Sequence, residues 1–273
     1  MSDFRIGVVG VAGRMGQAVA REIALTPGCR LSGGSEAPGA AALGRDLGEA
    51  CGLGRLGIAI GADTQALFTL SDAIIDFTRP AASVRHAELA AASGKILVIG
   101  TTGLDPDQER VIAAASRRAP IVHAPNMSLG VNVLAALVEQ VAARLGPEFD
   151  IEILEIHHRH KIDAPSGTAL ALGEAAARGR KVKLAEVKVA GRGGHTGAPT
   201  GARTPGAIGF ASLRGGAEVG DHIVMFCGEE ERIELVHKAG GRRIYARGAV
   251  SAALWARGRA PGLYSMRDVL GLG

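Results

Sequence analysis

Chemistry is densest in the segment Glu155-Ile156-His157-His158-Arg159-His160-Lys161-Ile162-Asp163-Ala164-Pro165-Ser166-Gly167-Thr168, where seven ionisable side chains fall within nine positions at the end of an apolar run. Strand stability does not call for such a crowd. Three histidines raise the question of a metal, but neighbouring strand residues point to opposite faces, so His157 and His158 diverge, and no cysteine or repeated carboxylate completes a ligand set. A solvated basic loop is the plainer alternative. The chemistry that suits these residues is acid/base work on an anion. Crowded His, Arg and Lys side chains repel one another, which eases proton release from Lys161. Downstream, Pro165-Ser166-Gly167-Thr168 reads as a helix start, whose N–H groups at Gly167 and Thr168 can hold a substrate carboxylate. A small dicarboxylate is the expected partner, and no metal is expected.

A second constellation lies near the amino terminus. Gly10-Val11-Ala12-Gly13-Arg14-Met15-Gly16 follows a strand-like run, Arg5 to Val9, and leads straight into a helical pattern, Arg14 to Leu25. Glycines at this spacing permit a tight turn, let backbone approach a pyrophosphate and allow the helix to pack on the sheet. Arg14 is either a pyrophosphate contact or a solvated helix residue. Glu36, about twenty positions on, can accept hydrogen bonds from a ribose diol, or is simply a loop charge. Gly100-Thr101-Thr102-Gly103 and Ala124-Pro125-Asn126-Met127-Ser128 follow two later strand-like runs, where they would face the nicotinamide end of a dinucleotide. As isolated turns, both can equally be structural.

The elements that must position these residues follow from apolar periodicity. Short buried-strand patterns at Arg30 to Gly33, Ala73 to Asp76, Ile96 to Ile99 and Ala119 to His123 alternate with helical stretches at Ala81 to Ser93 and Pro106 to Arg117. This predicts a doubly wound, nucleotide-binding first domain. From Leu129 the pattern becomes a long helix to Leu145, a strand at Ile151 to Ile156 and a helix at Gly167 to Arg178. Strands then follow at Lys183 to Ala190, Ala207 to Leu213, His222 to Cys227 and Arg232 to Val236. Their succession predicts a mixed, mainly antiparallel second domain. The glycine-rich stretch 191–201 is expected to be a mobile loop.

Composition narrows the partners. The chain has 273 residues, 47% of them hydrophobic, enough for a large core. Its three cysteines, Cys29, Cys51 and Cys227, are widely spaced and make neither a disulfide framework nor a metal site, which fits a reducing cytoplasm. No signal segment, anchor or membrane span is expected. The formal charge of +4 is spread along the chain, and two Tyr, one Trp and six Phe leave little for stacking on nucleic acid. A modest positive balance suits an anionic small molecule better.

These motifs together resemble the dihydrodipicolinate reductase family. The resemblance rests on the Gly10 to Gly16 turn, IDFTRP at Ile75 to Pro80, VIGTTG at Val98 to Gly103 and, most specifically, HHRHKIDAPSGTAL at His157 to Leu170. It continues through GHTG at Gly194 to Gly197, PGAIGFASLRGG at Pro205 to Gly216 and the terminal ALWARGRAPGLYSMRDVLGL. It implies an α/β protein, with a Rossmann-like nucleotide-binding domain (residues 1–127 and 238–273) and an α+β substrate-binding and tetramerisation domain with a mixed sheet (128–237). The implied activity is NAD(P)H-dependent reduction of 4-hydroxy-tetrahydrodipicolinate on the way to diaminopimelate and lysine. The implied roles are proton exchange for His157 and Lys161, substrate carboxylate contacts for His158, Gly167 and Thr168, and cofactor contacts for Gly100 to Thr102 and Ala124 to Met127. One departure bears on the cofactor. Several members follow the acidic residue with an arginine for the 2′-phosphate, and here Ala37 follows Glu36, so NADH is expected to serve at least as well as NADPH. The alternatives are an open-chain imine reductase or amino-acid dehydrogenase of the same architecture, and a non-catalytic NAD(H) sensor.

Overall fold

The computed structural model describes residues 3–191 and 201–272. The expected mobile loop beyond Gly191 and the GHTG motif lie outside the described residues. Contacts divide the chain into two compact units, Met1–Leu129 with Arg242–Gly273, and Gly130–Gly241.

The first unit begins β1 (Phe4–Val9), α1 (Arg14–Leu25), β2 (Cys29–Ser35), α2 (Leu47–Cys51), α3 (Thr64–Leu70), β3 (Ala73–Asp76), α4 (Pro80–Ser93), β4 (Ile96–Ile99), α5 (Pro106–Ala115) and β5 (Pro120–His123). Every residue of β3 and β4 is buried, as expected of central strands covered on both faces. β1 pairs in parallel with both β2 and β3, so the order of connection reverses beside it and opens a crevice at the carboxyl ends of β1 and β3. Alternation along β3 feeds two cores: Ile75 packs with Val19 and Ile23 of α1, and Ile74 with Phe68 of α3, Ala90 of α4 and Ile112 of α5.

The second unit holds α6 (Leu129–Arg144), β6 (Asp150–His157), α7 (Gly167–Arg180), α8 (Leu184–Val187), β7 (Lys188–Ala190), β8 (Ile208–Arg214), β9 (Asp221–Cys227) and β10 (Arg232–Lys238). Its sheet runs β10-β9-β6-β8-β7. It is mixed, but the expectation of a mainly antiparallel sheet needs correcting. β10/β9 and β9/β6 are antiparallel, whereas β6/β8 and β8/β7 are parallel. Helix α7 carries the chain back along β6, and a returning crossover delivers parallel neighbours. The strand expected over Lys183 to Ala190 is also corrected, because only its last three residues pair. Leu184 and Val187 stand three apart, a helical spacing, and both pack on the core through the single turn of α8.

The chain then returns to the first unit as α9 (Arg243–Trp255), β11 (Gly262–Tyr264) and α10 (Met266–Leu270). β11 extends the parallel sheet beside β5, and α9 lies on α1, where Arg243 Nε donates to the buried Glu22 at 2.6 Å. No helix among the described residues is long and apolar enough to cross a membrane.

In the second core Phe226 is fully buried, while Leu25 on α1 is 62% exposed. Phe226→Ala is expected to cost about 3–5 kcal/mol and Leu25→Ala less than about 0.5 kcal/mol, read from urea unfolding midpoints of the two variants.

Candidate functional site

In the first unit the Gly10 to Gly16 turn fills the crevice beside β1. Gly10 N–H donates to the Ser35 carbonyl at 2.8 Å, which ties the turn to the end of β2. Gly13 caps α1 without any side-chain partner, so the leading N–H groups of that helix are left for a ligand. The third glycine is dictated by packing: a Cβ on Gly16 would sit 2.2 Å from the Gly10 carbonyl oxygen and 2.7 Å from Val11 Cα. Glu36 accepts from Ala12 N–H at 2.7 Å, so its carboxylate already braces the turn that it faces.

A cleft of about 820 Å³ opens there, lined by Gly10, Gly13 and Glu36 of the expected residues, with Asp63, Phe77, Thr78, Arg79, Arg85 and His86 opposite. Val11 is wholly buried, while Arg14 is exposed. Gly100 to Thr102 and Ala124 to Met127 follow β4 and β5 as expected but do not line this cleft. Thr101, Ala124 and Met127 are buried, and Asn126 Oδ1 accepts from Ser128 N–H at 2.9 Å, which shapes the turn after β5.

Thr101 belongs to a network that sequence reasoning missed. Asp76, wholly buried at the end of β3, accepts from the Thr78 hydroxyl at 2.6 Å and the Thr78 N–H at 2.8 Å, and pairs with His86 Nδ1 at 2.8 Å. Thr101 Oγ1 accepts from Ser83 Oγ at 2.8 Å and from Thr78 N–H at 3.0 Å. Burial pushes the Asp76 carboxyl up, yet His86, Thr78 and Ser83 outweigh it and hold it below the ordinary range. The network locks together the loops after β3 and β4. Its signal was visible in IDFTRP, where an aspartate ends an otherwise apolar strand.

In the second unit β6 buries Ile151, Ile153, Glu155 and His157 on its helix-covered face. His157 Nδ1 lies 2.5 Å from Glu155 Oε2. Arg214, the register partner of His157 on β8, grips the same carboxylate with two bonds of 2.8 Å and donates to the Asp163 carbonyl at 2.7 Å. Ser166 N–H donates to Glu155 Oε1 at 3.2 Å, while Ser166 Oγ caps α7 through Ala169 N–H at 3.1 Å and meets His222 Nε2 at 2.9 Å. Lys161 Nζ donates to both oxygens of Asp163, at 2.7 and 2.8 Å. The expected crowding of cations is therefore relieved by acids: Asp163 answers Lys161, and Glu155 answers Arg214 and His157. Gly167 stands exposed and Thr168 half-buried at the start of α7, and the His158 and His160 rings lie 6.3 Å apart beyond the strand.

Burial raises the Glu155 carboxyl, but bonds from Arg214, Ser212 and His157 overcome it and bring it down to about 2. His222 is pushed down to about 4, first by burial and then by the neighbouring His157. Glu155 was in view in the sequence without a role and Ser166 as part of a helix start, while Arg214 and His222 carried no local signal of a place at this site.

A parallel sheet with a glycine turn at its switch point, joined to a unit bearing an acid/base cluster, defines a dinucleotide-binding α/β protein with a chemistry-bearing second unit. The chain belongs to the dihydrodipicolinate reductase family: the family models for the N-terminus and the C-terminus of dihydrodipicolinate reductase match residues 4–127 and 130–270. It is 56% identical over 272 residues to a 4-hydroxy-tetrahydrodipicolinate reductase of Rhodopseudomonas palustris (strain BisB18), covering 100% of this chain and 99% of that protein. It is likewise 56% identical over 266 residues to one of Brucella abortus (strain 2308), covering 97% and 98%. In fold it is similar to a dipicolinate-bound dihydrodipicolinate reductase from Paenisporosarcina sp. TG-14, with a TM-score of 0.75 at 23% identity over 97% of this chain and 98% of that one. An amine dehydrogenase from Mycobacterium smegmatis follows at 0.63 and 15%, over 97% and 95%.

Two shifted groups of the second unit, His222 and Glu155, set a pH dependence. His222 takes up a proton more readily unfolded than folded, so its contribution to stability is present above about pH 6.5 and is lost as pH falls toward about 4. Glu155 contributes above about pH 4.5 and loses that contribution toward about 2. Thermal unfolding followed from neutral pH down to about pH 4 is expected to show a falling Tm in wild type and a shallower fall in His222→Gln. Parallel curves would contradict this account.

Proposed function

We propose that this chain catalyses the NAD(P)H-dependent reduction of 4-hydroxy-tetrahydrodipicolinate to tetrahydrodipicolinate, a step toward diaminopimelate and lysine. The carrying observation is the His157, Glu155, Arg214 and Lys161 cluster beside the start of α7, in a chain 56% identical over its whole length to a relative of that name. The nicotinamide, when bound, supplies the hydride. Lys161 donates the proton that accompanies reduction and loss of the 4-hydroxyl as water, and His157 exchanges a proton with the substrate. His158 and the N–H groups of Gly167 and Thr168 hold a substrate carboxylate. A bound dicarboxylate then competes with Asp163 for the Lys161 ammonium.

The cofactor is held by the backbone of Gly10 to Met15, by Glu36 on the adenosine ribose and by Gly100 to Thr102 and Ala124 to Met127 toward the nicotinamide. Glu36 followed by Ala37 favours a free diol, so NADH serves at least as well as NADPH. Arg79 and Arg85 line the same cleft and make no ion pair among the described residues, which leaves cations available to a 2′-phosphate. The compartment is the cytoplasm and the assembly a homotetramer built on the second sheet. The face of that sheet opposite its helices carries Leu154, Ile156, Ile223 and Met225, with Leu213 and Val236 about half exposed, a continuous apolar surface in search of a cover.

Loss of nicotinamide absorbance, with substrate generated in place by a coupled synthase, tests the reading. Wild type is expected to turn over, and Lys161→Ala to lose at least about a hundredfold in rate with cofactor binding intact. No turnover with either cofactor despite tight NADH binding would sink the assignment. For the cofactor, Ala37→Arg is expected to tighten NADPH about tenfold in fluorescence titration while leaving NADH within about twofold.

A further inference from the structure

We infer that Glu155, clamped by Arg214, is a positioning residue that fixes the His157 imidazole with its proton on Nδ1, leaving Nε2 as the nitrogen that meets substrate. The inference rests on the proposed role of His157 and assigns the partner that orients it.

Glu155 and His157 stand two apart on β6 and therefore share a face. The Glu155 side chain is 1% exposed and has no freedom to turn away. Oε2 meets His157 Nδ1 at 2.5 Å and Arg214 Nη1 at 2.8 Å, while Oε1 accepts from Arg214 Nη2 at 2.8 Å and Ser166 N–H at 3.2 Å. A planar guanidinium fork of this kind fixes a carboxylate in angle as well as place. The carboxylate so held stays ionised and can only accept, so Nδ1 must donate. The ring's other nitrogen points at bare backbone, since a Cβ on Gly220 would lie 2.7 Å from Nε2. That approach, at a Gly220 φ of +152°, keeps side-chain bulk away from the reactive nitrogen.

The charged and titratable groups around His157 are few and come from every neighbouring strand. Arg214 stands opposite on β8. The His222 ring on β9 lies edge-on with centroids 5.2 Å apart, and His237 on β10 is the register partner of His222. Lys161 and Asp163 pair with each other in the loop that follows β6. Of these, Glu155 alone touches the imidazole as an acceptor of its proton, so it alone can choose the tautomer.

Nitrogen-15 histidine spectra of wild-type protein at mildly alkaline pH read that tautomer directly. The Nδ1–H form is expected for His157, and the Nε2–H form overturns the inference. Kinetics of Glu155→Gln supply the second arm, with the paired Glu155→Gln/Arg214→Met variant guarding against failure to fold around an unpaired buried arginine. Either variant is expected to lose about a hundredfold in kcat, with KM within about threefold and NADH affinity within about twofold. A folded paired variant with kcat within about threefold of wild type overturns the inference. The two readings fail differently. An Nε2–H form removes the clamp and leaves the role of His157 standing, whereas a His157→Gln variant that turns over at the wild-type rate removes that role, and the clamp's purpose with it.

Discussion

Burying an ionised carboxylate costs several kcal/mol unless close partners take up every lone pair, so a chain that does it must build its surroundings around the charge. Each unit of this protein does so near the carboxyl end of a central strand. Asp76 is 0% exposed and Glu155 1% exposed, and each is met by a histidine Nδ1, from His86 at 2.8 Å and His157 at 2.5 Å. The consequences are architectural. Around Asp76, Thr78, Ser83 and Thr101 are drawn together, which joins the loop after β3 to the loop after β4. Around Glu155, Arg214 is drawn from β8 and Ser166 from the start of α7, so strand pairing, helix capping and the placement of His157 answer to one charge.

The two histidines nonetheless differ in what they can do. His86 lines the cleft of the first unit, but its carboxylate partner is also saturated by hydroxyl donors, so the pair serves to hold backbone. His157 has one nitrogen engaged and the other directed at a glycine. Both carboxylates are held in the ionised form, Glu155 chiefly by the Arg214 guanidinium and Asp76 by His86 together with the Thr78 and Ser83 hydroxyls. An anchored, ionised acceptor behind an imidazole whose other nitrogen meets only glycine is an arrangement for moving protons rather than for stability alone, because replacing the pair with apolar groups would cost the fold less than the charges do.

Much of this was legible before the structure, and the gaps have physical causes. Helix α1 could be read to the residue because a strand, a glycine turn and an apolar stripe coincide over Arg14 to Leu25. β3 and β4 were legible as apolar runs bounded by turns. The parallel pairing of β6 with β8 was not, since register across fifty residues leaves no local trace and close spacing of strands suggests hairpins. Leu184 and Val187 were misread because an apolar residue at every second or third position fits either a strand or a single helical turn. At the site, Lys161, His157 and Glu155 announced themselves by crowding. Arg214 and His222 reach the same place from 59 and 56 residues beyond their partners, Glu155 and Ser166, a distance over which sequence pattern carries nothing.

Charge economy explains why the crowd of cations survives in a folded protein. Read along the chain, His157 to Lys161 is an electrostatic liability. In three dimensions Lys161 faces Asp163 and Arg214 faces Glu155, leaving His158, Arg159 and His160 toward solvent. The acids differ in kind. Asp163 is more than half exposed and its bond to Lys161 is open to competition from a substrate carboxylate, whereas Glu155 is sealed. A weak, exchangeable partner for one cation and a permanent one for the other is what a site needs if an anion is to enter beside Lys161 without disturbing His157. The same division recurs at the cleft, where the exposed end of the turn braced by Glu36 stays free to take a ligand while its Gly16 end is fixed by backbone contact.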